Sequence, residues 1–277
     1  MTTLDKGFLE QYGITPNRAL GQNFLCDANA IEKILAAAKA GGEFVLEIGP
    51  GLGALTEGLA RRAERVVAVE IDNAMIAPLS ERLSEYANVR ILHADFLKAS
   101  WKEMAPPDGG DFIAAGNLPY YATTPICLKL FEQAGRIRSI TIMVQKEAAR
   151  RFFAGPGDKV YGPLSVVARS WYDASCVMEL PPECFYPQPG VDSTVVRLVR
   201  AEDVPGIDPK AALKTVGACF RMRRKTIINN LLAAGIPRSE ALSALKESGV
   251  KPEARAESVE PRRLIALAEA LSGLEPG

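Results

Sequence analysis

Apolar residues along this chain fall into short continuous blocks and into helical stripes. Five blocks predict strands near 44–48, 66–70, 89–92, 111–116 and 140–144. They are Phe44-Val45-Leu46, Val66-Val-Ala-Val69, Val89-Arg-Ile-Leu92, the run ending at Gly116, and Ile140-Thr-Ile-Met-Val144. Runs this short, and this rich in Val and Ile, suit strands buried on both faces. Helical patterns lie between them, and Asn29–Ala38 sets Ile31, Ile34, Leu35 and Ala38 on one face. Alternating strand and helix implies a mostly parallel sheet. Two more strands, Ser175–Leu180 and Thr194–Val199, flank a Pro-rich loop with no helix between them, so one of the pair is expected to run antiparallel. A break at Asp203–Pro209 precedes helices expected near 209–219, 222–234, 238–248 and 261–272, punctuated by Gly235-Ile-Pro237 and Gly249. The expected fold is α/β: a sheet of seven strands, one antiparallel, in residues 1–204, then an all-helical domain in 205–277. Residues 1–28 read as an N-terminal arm with little periodicity.

Composition narrows the class. A length of 277 residues accommodates one α/β domain and a small second one, and 48% hydrophobic residues argue against disorder. No apolar stretch approaches the length of a membrane span, and the start shows no basic region followed by a long apolar run, so neither membrane insertion nor a secretory signal is expected. Five scattered cysteines form no C-x-x-C pair, and the only histidine is His93. The expectation is free thiols in a reducing cytoplasm and no metal site, with His93 a structural strand-end residue. Net charge is zero, but the segment from residue 205 onward holds 12 Lys and Arg against 8 Asp and Glu. Its sharpest feature is Arg221-Met-Arg223-Arg224-Lys225. Such a cluster neutralises phosphates, which points to RNA contact; a solvated helix face is the alternative. Arg221, Arg224 and Lys225 recur at helical spacing, with Phe220, Ile227, Ile228 and Leu231 available to anchor the inner side.

Candidate chemistry gathers where the predicted strands end. Glu47-Ile-Gly49-Pro-Gly51-Leu-Gly53 follows the first block and opens a helical pattern, a strand–glycine turn–helix that lets a ligand approach the backbone. Glu70 ends the next strand, where a carboxylate can accept both hydroxyls of a ribose. Asp95 lies beyond the third and can accept from an adenine amino group. Asn117-Leu-Pro-Tyr120 follows the fourth. There the Asn side chain and the Leu118 carbonyl offer two acceptors beside an aromatic face, a clamp suited to the exocyclic amine of a flat base. A nicotinamide dehydrogenase would also explain Gly49, Gly51, Ala54 and Glu70, but it gives the clamp no role.

This constellation resembles the Rossmann-like S-adenosylmethionine-dependent methyltransferases, with an adenine-N6 signature at Asn117–Tyr120. Further patches are similar to those of the ribosomal RNA adenine dimethyltransferase family: Leu20-Gly-Gln-Asn-Phe-Leu25 with Asp27 and Asn29, Tyr161-Gly-Pro-Leu-Ser165, the series Phe185, Pro187, Pro189, Val191 and Ser193, and Arg223-Arg-Lys-Thr226 with Asn229-Asn-Leu231. They reach from near the start to about residue 231. Related antibiotic-resistance methylases of large-subunit RNA usually carry Ile where this chain has Leu118. The resemblance implies that Asn23, Leu25, Gly49, Gly51, Glu70, Asp95 and Asn117 bind S-adenosylmethionine. It implies that Asn117, Tyr120 and Phe185 hold the target adenine, with Phe185 as a second stacking plate. It further implies dimethylation at N6 of two adjacent adenosines near the 3′ end of 16S rRNA, a role in small-subunit biogenesis, a monomer, and a cytoplasmic location. Duplex DNA as the substrate, or a ribosome-assembly factor without turnover, are the other readings.

Overall fold

A computed structural model describes residues 13–273. The strands are β1 (Phe24–Leu25), β2 (Phe44–Ile48), β3 (Arg65–Glu70), β4 (Val89–His93), β5 (Phe112–Asn117), β6 (Ile137–Gln145), β7 (Tyr172–Leu180), β8 (Phe185–Tyr186) and β9 (Ser193–Arg200). Seven of them form one sheet in the order β4-β3-β2-β5-β6-β9-β7. The neighbours from β4 to β6 run parallel, and β9 runs antiparallel to β6, with Gln145 opposite Ser193. The closing pair does supply the reversed strand. Val45, Leu46, Val66 and Ala68 are fully buried, as an apolar strand covered on both faces must be. The order reverses between β2 and β5, and an open α/β sheet binds ligands beyond the carboxyl ends of its strands at such a point.

Two compact units share the chain. The first comprises the described residues up to Ile126, with Arg136–Ala149 and Ser175–Val199. One of its core clusters packs the inner faces of helices Ala28–Ala38 and Ala54–Ala60 (Ile34, Leu35, Leu55, Leu59) with Val45, Val66, Ile113, Met143 and Val195 of the sheet. Helix Ala28–Ala38 starts where it does because the Asp27 carboxylate accepts from Ala30 N–H at 2.7 Å.

Two short strands that the apolar pattern does not announce, β1 and β8, pair antiparallel: Phe24 faces Tyr186 and Leu25 faces Phe185, and Cys26 N–H donates to Cys184 O at 2.8 Å. This ribbon ties the arm to the Pro-rich loop.

The second unit comprises Cys127–Gly135, Arg150–Ala174 and the described residues from Arg200 onward. The described part of the 205–277 tail lies within it. Its helices run Pro209–Phe220, Ile227–Ala233, Arg238–Glu247 and Pro261–Ser272. Tyr161 holds them from within: its hydroxyl donates to Val259 O at 2.9 Å and its ring meets Phe220 edge-on. Among the described residues no helix is long and apolar enough to cross a membrane.

The tail departs from expectation in one place. Residues 221–226 form a turn, so the expected helix 222–234 begins only at Ile227. The cause is buried Asn230. Its Oδ1 accepts from Met222 N–H at 2.9 Å, and its Nδ2 donates to Met222 O and Thr226 O at 3.2 and 3.3 Å. An Asn amide that bonds this backbone competes with helix continuation, and here it prevails.

Candidate active site

The carboxyl ends of β2, β3 and β5 and the arm enclose an open cleft of about 810 Å³, counting the part open to solvent. That is within the size range of small-molecule sites. Asn23, Leu25, Gly49, Gly51, Glu70, Asn117 and Tyr120 all line it, as do Glu47 and Leu118.

The floor is the glycine turn. Gly51 has φ 55, and a Cβ there would sit 3.1 Å from Phe24 Cε1 of the arm. A side chain at this position would be strained and would also lift the arm. Glu70 fixes the turn from below: its Oε2 accepts from Gly51 N–H at 2.9 Å and its Oε1 from Asp72 N–H at 2.8 Å. Burial raises the pKa of this carboxyl, and the N–H groups of Asp72, Gly51 and Ile71 pull it back. Each oxygen keeps lone-pair capacity for a hydroxyl donor.

The wall is the clamp. Asn117 Nδ2 donates to Asn23 O at 2.8 Å, and Asn23 Nδ2 donates to Gly21 O at 3.2 Å. The first bond fixes the Asn117 amide and leaves Oδ1 as the acceptor available to a ligand. Leu118 N–H is used on Met143 O at 3.0 Å, and Pro119 is extended at φ −61, ψ 131. The Tyr120 hydroxyl shares a 2.7 Å hydrogen bond with Ser193 Oγ, which sets the direction of its ring. Burial raises the pKa of the phenol and the Ser193 bond lowers it.

Glu47 is the buried acid of the site, 1% exposed. Desolvation raises its pKa from 4.5 to about 8, Thr56 opposes this, and Glu70 adds to it. Its Oε2 has no hydrogen-bond partner among the described residues. The proton is therefore held in the folded chain up to about pH 8, whereas the unfolded chain loses it near pH 4.5. In that window the folded state binds the extra proton. The stability it contributes is complete below about pH 4.5 and is lost as pH rises through about 8. Glu47→Gln removes this dependence, so the melting temperature of the variant relative to wild type is expected to rise from pH 5 to pH 9 in thermal unfolding scans. A constant difference across that range would mean that Glu47 ionises as an ordinary carboxyl.

Asp95 and Phe185 are not among the residues that line the cleft. Asp95 Oδ1 accepts from Leu97 N–H at 2.9 Å and its Oδ2 lies 3.4 Å from Lys98 Nζ. Phe185 is 3% exposed and packs in the core cluster with Leu25, Ile31 and Leu180. A stacking plate needs an accessible face, and strand pairing with Leu25 turns this ring inward instead.

The basic run divides in two. Arg223 Nη2 lies 3.3 Å from Glu257 Oε2 and donates to Lys159 O at 3.1 Å. Arg221, Arg224 and Lys225 are exposed on the turn and have no salt bridge among the described residues. Turn geometry replaces the helical spacing expected for them.

Several functional neighbours carry no signal in the apolar pattern. Gln22 joins the arm to the sheet through Asp72 Oδ2 at 2.7 Å. Ser193 orients Tyr120, and exposed Tyr121 stands at the cleft mouth. Only Gln22 and Ser193 fall inside recognisable sequence patches.

Residues 14–272 match the family model described as "Ribosomal RNA adenine dimethylase". The chain is similar to "Ribosomal RNA small subunit methyltransferase A" of Geobacillus kaustophilus (strain HTA426), with 42% identity over 281 residues covering 97% of this chain and 95% of that one. A protein of the same name from Shouchella clausii (strain KSM-K16) is 42% identical over 272 residues, covering 95% and 92%. Among solved structures, a dimethyladenosine transferase from Plasmodium falciparum superposes with TM-score 0.69 at 25% identity, over 87% of this chain and 94% of that one. The 23S rRNA methyltransferase ErmE gives TM-score 0.62 at 32% identity, over 90% and 100%.

Proposed function

The chain belongs to the ribosomal RNA adenine dimethylase family, and from that premise we propose that it dimethylates N6 of two adjacent adenosines near the 3′ end of small-subunit (16S) rRNA. Its activity is that of an S-adenosylmethionine-dependent rRNA adenine dimethyltransferase on a Rossmann-like methyltransferase fold. The nicotinamide reading falls with that membership. The observation that supports transfer to an adenine amine is the Asn117 Nδ2 bond to Asn23 O, which leaves Oδ1 as an acceptor in the cleft that the glycine turn and Tyr120 also line.

The residues present fit the cofactor. The glycine turn leaves room that a Cβ would fill, Glu70 keeps lone pairs for ribose hydroxyls, and the buried Glu47 Oε2, in the same cleft, has no hydrogen-bond partner among the described residues. Asn23, Leu25, Gly49, Gly51 and Asn117 would hold the methionine end, and Asp95, just past β4, would accept from the adenine amino group. When bound, S-adenosylmethionine supplies an electrophilic methyl group. The chain supplies orientation. An adenine amine is a poor nucleophile because its lone pair is delocalised into the ring. Asn117 Oδ1 and the Leu118 carbonyl accept its two hydrogens and aim the lone pair, while Tyr120 stacks on the base. No general base is needed, because the nitrogen becomes acidic once it carries four bonds. Flipping the base out costs a few kcal/mol, and stacking returns about 1–3 kcal/mol.

Arg221, Arg224 and Lys225 are the phosphate contacts in this reading. Neutralising all three is expected to weaken RNA binding and to flatten its dependence on salt, because each phosphate contact adds to the counterion release. Arg223→Ala should instead lower the melting temperature and leave the salt slope nearly intact. Filter binding over a salt series separates the two; an unchanged slope in the triple variant would exclude this turn as the RNA contact.

The residues have a place in small-subunit biogenesis, in a monomer acting in the cytoplasm. The test is mass analysis of RNA fragments after incubation with labelled cofactor and unmodified small subunits, with duplex DNA and large-subunit RNA alongside. Two methyl groups on each of two neighbouring adenosines are expected. Label on DNA or large-subunit RNA alone, or binding without label, would overturn the assignment.

A further inference from the structure

Tyr121 is 62% exposed, whereas most aromatics among the described residues are buried. It lines the cleft together with its neighbour Tyr120. The two rings lie in the single 3-10 turn Tyr120–Ala122, closed by Ala122 N–H donating to Pro119 O at 3.0 Å. Their surroundings differ. Tyr120 is partly buried and tied to Ser193, while Tyr121 leans on the backbone of the arm. A Cβ on Gly21, which has φ 61, would sit 3.3 Å from Tyr121 Cδ1 and 3.6 Å from its Cε1, and 3.8 Å from Pro119 Cβ. The arm behind it is braced in turn: Gln22 N–H and Leu20 N–H both donate to Asn17 O, and the Gln22 side chain bonds Asp72. The ring is thus supported on one side and exposed on the other, at the rim of a cleft whose inner aromatic is already assigned to a base.

We infer that Tyr121 is a second base platform, which stacks the nucleotide next to the flipped adenine and so positions the strand; this rests on the reading of the cleft given above. A strand whose adenine enters the pocket must carry its neighbour past the rim. An aromatic face is the surface that accepts any base without hydrogen-bond readout. Where two adjacent adenosines are both substrates, the platform takes one while the clamp takes the other. Its contact is made equally before and during methyl transfer, so its loss falls on KM for RNA rather than on kcat.

The test is steady-state kinetics on unmodified small subunits with Tyr121→Ala, Tyr121→Phe and Tyr121→Trp, together with subunits reconstituted on RNA that is abasic beside the target. Tyr121→Ala is expected to raise KM for RNA about tenfold or more, with kcat and KM for the cofactor nearly unchanged. Phe and Trp should restore the wild-type value, because the ring matters and the hydroxyl does not. The abasic substrate should impose the same penalty on wild type and little further penalty on Tyr121→Ala. The inference is overturned if Tyr121→Ala matches wild type, if Phe fails where Ala fails, or if wild type is indifferent to the abasic site. A wild-type protein that methylates no small-subunit RNA would instead defeat the reading beneath it.

Discussion

Asn117→Ala is expected to reduce methyl transfer by at least about 10³-fold while leaving a folded protein, since it removes an acceptor that aims the nucleophile. Single-turnover transfer of labelled methyl groups measures the loss, and a thermal melt serves as the control for folding. The variant also frees the Asn23 carbonyl from its 2.8 Å bond, so a melting temperature slightly below wild type is expected. Asn117→Asp sharpens the test. It keeps an acceptor toward the base but sets a second oxygen against Asn23 O, so transfer should be impaired and cofactor affinity should fall with it. Wild-type turnover in the Ala variant would refute the clamp.

Gly116→Ala should show the largest effect on stability. A Cβ at Gly116 would fall well inside contact distance of the Ile48 carbonyl, which belongs to the neighbouring strand and has no flexible end to move aside. Overpacking a rigid core costs about 3 kcal/mol or more here, a fall in melting temperature of roughly 10 °C for a chain of this length. Gly217→Ala is the control. That glycine sits inside helix Pro209–Phe220 with open space around its Cβ position, so the change should leave the melting temperature unchanged or raise it. Residual Gly116→Ala protein should also transfer poorly, because Ile48 and Gly116 lead directly into Gly49 and Asn117 on the two sides of the cleft. A melting temperature equal to wild type would mean that the strands separate at little cost.

The sheet was legible because its central strands are apolar on both faces, and in residues 44–48 and 66–70 only Glu47 and Glu70, at or near the strand ends, interrupt that pattern. The ends of those strands carried Glu47, Gly49, Glu70 and Asn117 to one rim, as the switch in strand order requires. Three things were hidden. The β1–β8 ribbon is too short to leave a periodic trace, so the inward turn of Phe185 could not be read from its Pro-rich neighbours. The basic run imitates a helix in its spacing, and only the burial of Asn230, a tertiary fact, breaks it into a turn. The support beside Tyr121 comes from Gly21, a residue a hundred positions away in the chain.

One bond ties discrimination among nucleobases to the arm. Asn117 and Asn23 are 94 positions apart in sequence, and the bond to the Asn23 carbonyl engages the amide nitrogen and leaves its oxygen to a ligand. Rotated by half a turn, the same side chain would offer hydrogens where adenine also has hydrogens, and would welcome the O6 carbonyl of guanine or inosine. An arm displaced by truncation or by ligand loss would therefore do more than loosen a pocket: it would erode the enzyme's ability to tell one purine from another.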